Sequence, residues 1–93
     1  MFSMPEEFSI TNGMGEMTNF SAPFKLLSMA NEFERAGVIL YAVELYTKIL
    51  DNYPDTFEAV ASRLALFLIA SRYENDGKKE SAIAIIRRIS TIK

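Results

Sequence analysis

The sequence predicts an all-α chain: four helices forming two antiparallel helix hairpins. Three observations carry that expectation. From Ser21 onward apolar residues recur at the helical period, no stretch alternates at period two between turn signals, and one pattern occurs twice at a spacing of 40 residues.

Residues 1–21 are rich in Met, Ser, Thr, Asn and Gly and sustain neither period, which reads as a mobile N-terminal arm. The arm is not purely polar, since Phe2, Phe8, Ile10, Met14, Met17 and Phe20 are scattered through it. Gly13-Met14-Gly15 is no phosphate loop, because no strand precedes it and no Lys follows. Asn19-Phe20-Ser21 matches the glycosylation pattern, but no secretion signal accompanies it.

The helical domain is expected over residues 22–93. Ser21 can cap a first helix and Pro23 suits its first turn. Leu26, Met29, Ala30 and Phe33 then fall at i, i+3, i+4 and i+7, and Gly37 stops the run. A second helix is expected from about Val38 to Tyr53, closed by Pro54, which disfavours helical geometry in the residue before it. Asp55 or Thr56 can cap a third, from about Thr56 to Asn75, with Glu58 near its positive end and Gly77 after it. A fourth is expected from about Lys79 to Ile92.

The repeat explains the stretch AVELYTKILDNYP at 42–54. Leu26, Met29, Ala30, Phe33, Gly37, Ala42, Tyr46 and Ile49 match Leu66, Ile69, Ala70, Tyr73, Gly77, Ala82, Ile86 and Ile89, each 40 positions on. Small residues let two helices approach closely, and large ones a turn or two away fill the space beside them. Pro54 separates one hairpin from the next.

This pattern resembles the tetratricopeptide repeat: a small residue near the middle of each helix, bulky residues at fixed offsets, and proline after the second helix. The resemblance covers residues 23–92. Its YPDTFEA junction at 53–59 looks like the variant found in bacterial envelope-assembly and scaffold members. The spacing departs from the family's repeat of about 34 residues, and the extra length falls in the third helix. The second repeat has no terminal proline, as expected where the solenoid ends. The resemblance implies a short TPR-like right-handed solenoid acting as a scaffold for protein–protein interaction.

A second apolar stripe is left over on the third helix. Phe57, Val60, Ala61, Leu64, Phe67 and Leu68 fall at i, i+3, i+4, i+7, i+10 and i+11. Phe24 and Leu27 occupy the matching places on the first helix. In the family fold the first helix of each pair lines the concave surface, so the resemblance places these residues in a groove, beside Asn31, Glu34, Arg35, Ser71 and Glu74. Alternatively, neighbours bury the third helix on both sides and no groove exists. The expected partner-binding residues are thus Phe24, Leu27, Asn31, Phe57, Val60, Leu64, Phe67, Leu68 and Ser71. Three occupants are open: the chain's own arm, a second copy forming a homodimer, or a foreign helix or peptide. Some family members clamp a peptide's terminal carboxylate; Asn31 sits at one such place, but Leu27 stands where Lys is expected, so that mode is rejected.

On the fourth helix Ala82, Ile85, Ile86, Ile89 and Ile92 make one stripe, with Ala84, Arg87, Arg88 and Thr91 opposite, as a terminal capping helix requires. Lys78, Lys79, Arg87, Arg88 and Lys93 form a basic cluster without interleaved aromatics for base stacking, and Arg87, Arg88 and Lys93 suit a helix C-terminus, so no nucleic acid is expected.

Composition narrows the chemistry. Ninety-three residues allow one small domain, and a formal net charge of -2 implies no polyanionic partner. With no Cys and no His, the chain lacks thiolates, the commonest metal ligand and the commonest neutral-pH base. The carboxylates are dispersed: Glu44 pairs with Lys48 at i, i+4, and Asp51 and Asp55 flank a loop with too few ligands for a metal. No enzymatic activity, cofactor or metal is expected. The start MFSMPEEFSI lacks a basic leader, and the longest strongly apolar run, LALFLIA at 64–70, is too short to span a bilayer, so the chain reads as cytoplasmic and unattached to a membrane. The leading functional expectation is a scaffold that binds a helix or peptide; the alternative is a structural homodimer subunit that uses the same groove for itself.

Overall fold

The computed structural model describes residues 21–91. The expected arm over 1–20 lies outside them, as do Ile92 and Lys93. Four helices follow in order: α1 Ala22–Arg35, α2 Ile39–Asn52, α3 Phe57–Asn75 and α4 Lys79–Ser90. They form two hairpins, α1 on α2 and α3 on α4, with α3 packed against α2 and, less extensively, against α1.

Local chemistry sets the boundaries. Pro23 occupies the first turn of α1, where its missing N–H costs nothing. Ser21 holds the N-cap position but its side chain makes no capping bond, unlike the expectation. Thr56 does cap α3: its hydroxyl accepts from the Ala59 N–H at 3.1 Å and donates to the Tyr53 carbonyl at 2.7 Å. That second bond ties the cap across Pro54 to the last residue before it. Helix α2 ends at Asn52, with Tyr53 as its C-cap.

The 40-residue correspondence extends to the backbone. The helices α1 and α3 end at residues 35 and 75, and α2 and α4 begin at 39 and 79. Gly37 and Gly77 adopt φ of +85° and +81°. The Val38 N–H donates to the Phe33 carbonyl at 2.9 Å, and the Lys78 N–H to the Tyr73 carbonyl at 2.8 Å. Each glycine N–H also reaches a Glu carbonyl, Glu34 or Glu74, at 3.0 Å. Left-handed φ at these turns costs an L side chain about 1–2 kcal/mol, so Gly37→Ala is expected to lower unfolding free energy by about that amount in urea. Open space around both Cβ positions makes backbone strain the only cause. The first turn is closed by Tyr41 set edge-on to Phe33, ring centroids 4.5 Å apart at 74°. At the second, Lys78 Nζ sits 5.9 Å above the Tyr73 ring instead.

One core joins the hairpins. Ala30, Ala42, Ala70 and Ala82 are all buried where helices meet, and Leu45, Tyr46, Ile49, Leu50, Leu66, Ile69, Ile85 and Ile89 fill the space around them. The three described ion pairs lie at or near the surface: Arg35–Glu32, Arg72–Glu34 and Arg88–Asp51. Such pairs contribute little, and the core carries the stability.

Candidate interaction surface

Helix α3 has two apolar faces, and only one of them is buried. Ala59, Ser62, Leu66, Ile69 and Ala70 are turned into the core. At about 100° per residue, Phe57, Val60, Leu64, Phe67, Leu68 and Ser71 fall within an arc of about 100° on the other side of the helix. All six are exposed, the five apolar ones between 45% and 78%. Among the described residues, neighbours therefore do not cover α3 on both sides.

The residues expected on α1 divide. Phe24 is exposed, Leu27 is half-buried against the core, and Asn31 is exposed but engaged. Tyr46 Oη donates its one proton between Glu34 Oε1 at 2.6 Å and Asn31 Oδ1 at 2.8 Å, and the charged acceptor makes the stronger bond. Glu34 also lies 3.9 Å from Arg72 Nη1, which links α1, α2 and α3 through one hydroxyl. Arg35 and Arg72 complete the rim of a polar recess with Asn31 and Glu34. Asn31 thus braces the hairpin, with one of its polar atoms already committed. Burial, then the hydrogen bond and charge of Glu34, push the Tyr46 phenol well above its ordinary value of 10.

This network was not legible in the sequence, where Tyr46 reads as a packing residue. A second feature was hidden as well. Ile86, expected in the buried stripe of α4, is 37% exposed, and with Ala82 and Ile83 it lines an open depression of about 570 Å³. Ile86 holds the position that matches Tyr46, and among the described residues no helix covers it.

Among the described residues no group of His, Cys, Asp or Glu is placed to hold a metal ion, and no helix is long and apolar enough to cross a membrane. The chain is a small four-helix all-α domain built from paired helices. Comparison with protein-family models, with curated proteins and with solved structures finds no match.

Proposed function

We propose that this chain is a non-enzymatic protein–protein interaction module of the tetratricopeptide-repeat type, binding a helix or extended peptide across the outer face of α3. One observation carries the reading: five large apolar side chains, Phe57, Val60, Leu64, Phe67 and Leu68, stand exposed along one helix with no charged residue in their arc. Contiguous apolar surface of this kind marks contact sites. On α1 Phe24 is exposed as well, and Ser71 continues the α3 stripe with a polar end. The recurrence of both Gly turns 40 residues apart supports the repeat assignment.

A two-fold homodimer through the same stripe is the second reading, favoured by its lack of charge. Size argues against it as the leading one. A helix of 19 residues is about 28 Å long, and a stripe about 10 Å wide along it gives on the order of 300 Å². Standard interfaces bury about 800 Å² per partner. One bound segment suits the smaller area better.

Phe67→Glu tests the proposal. Panning a peptide-display library on the whole chain should yield amphipathic or apolar peptides. Their binding, measured by calorimetry, should fall at least about tenfold in the variant while its helical circular dichroism stays unchanged. Peptides that bind both proteins alike would remove the α3 surface from consideration.

A further inference from the structure

The 40-residue correspondence reveals two open faces that are halves of one interface, and from this we infer that copies of the chain stack head to tail, α1 of one copy docking on α4 of the next. The second hairpin packs on the first, and burial differs between the two at a defined set of matching positions. On the receiving side, Tyr46, Thr47 and Leu50 of α2 are buried; 40 positions on, Ile86, Arg87 and Ser90 of α4 are exposed. On the docking side, Ser62, Leu66 and Ile69 of α3 are buried; 40 positions back, Ala22 and Met29 of α1 are exposed and Leu26 is only half-buried. Each hairpin therefore leaves uncovered what the other covers inside the molecule. The occupant that matches the depression around Ile83 and Ile86 is the α1 face of a second copy, because its homologous face on α3 already occupies the homologous place on α2.

The contact is heterologous, so its geometry does not close as a pair and the assembly grows beyond two. It is also weaker than its internal template. Thr47 and Leu50 are replaced by Arg87 and Ser90. The internal Arg72–Glu34 pair becomes Glu32 facing Glu74. The covalent link that makes the internal junction intramolecular is absent. Stacking should therefore show itself only at chain concentrations approaching about 1 mM.

Sedimentation velocity on the whole chain up to about 1 mM tests this, with circular dichroism as a check on folding. Met29→Glu spoils only the docking face and Ile86→Glu only the receiving face, both at exposed sites that the fold tolerates. The expected result is a mass that rises past the dimer with concentration, a monomer for each variant alone, and a one-to-one dimer when the two are mixed. Glu32→Arg should lower the concentration at which growth begins, since it re-creates the internal Arg–Glu match. A wild-type chain that stays monomeric to about 1 mM overturns the proposal. So does a dimer that survives both substitutions but is lost in Phe67→Glu, which would place self-association on the α3 stripe. If either variant loses helix, Met29→Lys and Ile86→Lys repeat the same pairing.

Discussion

Tyr46→Ala is expected to destabilise the domain by about 3–5 kcal/mol, a large part of the total for a fold this size. At about 0.05–0.15 kcal/mol per residue, the roughly 70 described residues hold about 4–10 kcal/mol in all. The ring is fully buried and its hydroxyl joins three helices through Glu34, Asn31 and, beyond Glu34, Arg72. Tyr46→Phe separates the two contributions. It keeps the ring and removes the bridge, at an expected cost of about 1–2 kcal/mol. Urea unfolding followed by circular dichroism at pH 7 measures both. The same residue sets a pH dependence. The folded phenol holds its proton to higher pH than the unfolded one, which titrates near 10. Its contribution is complete below pH 10 and is lost as pH rises above that, because only the unfolded chain releases the proton there. Stability should therefore fall between pH 10 and 12 in the native sequence and fall less steeply in Tyr46→Phe. Equal slopes would mean that the hydroxyl titrates as it does in water.

The four helices were legible because their punctuation is local. Pro23, Gly37, Pro54, Thr56 and Gly77 each act on the few residues beside them, and the boundaries fell within a residue or two of expectation. The 40-residue correspondence was legible because Ala30 and Ala70, or Ala42 and Ala82, take matching buried places in the two hairpins. Its breakdown was not. Tyr46 and Ile86 occupy matching positions, yet one is buried and the other open, because the second hairpin packs against α2 and, among the described residues, no further helix packs against α4. End effects of this kind depend on what comes next in space, and a pattern read along the chain carries no such term. The Tyr46 bridge was hidden for a related reason: its partners lie 12 and 15 residues away on another helix, polar residues with ordinary surface spacing.

Helix α3 poses the same question in its sharpest form, and a pair of substitutions two residues apart answers it. Leu66→Ala is expected to cost about 2–5 kcal/mol, since the side chain is buried in the core and its loss leaves a cavity. Leu68→Ala should change stability by no more than about 0.5 kcal/mol, because that side chain stands in solvent. Periodicity alone could not rank the two, for both leucines belong to well-formed apolar stripes on a helix that is apolar on opposite sides. What ranks them is the position of Ala70 and Ala30, whose missing bulk lets one face of α3 come close to its neighbours and leaves the other facing out. The exposed stripe therefore owes nothing to the stability of the described domain. Leu68→Ala should leave the urea midpoint near the native value while weakening any peptide that binds along Phe57, Leu64 and Phe67. If Leu68→Ala destabilises as much as Leu66→Ala, the outer face of α3 is covered in solution, and the proposed binding surface is already occupied by the chain itself or by a copy of it.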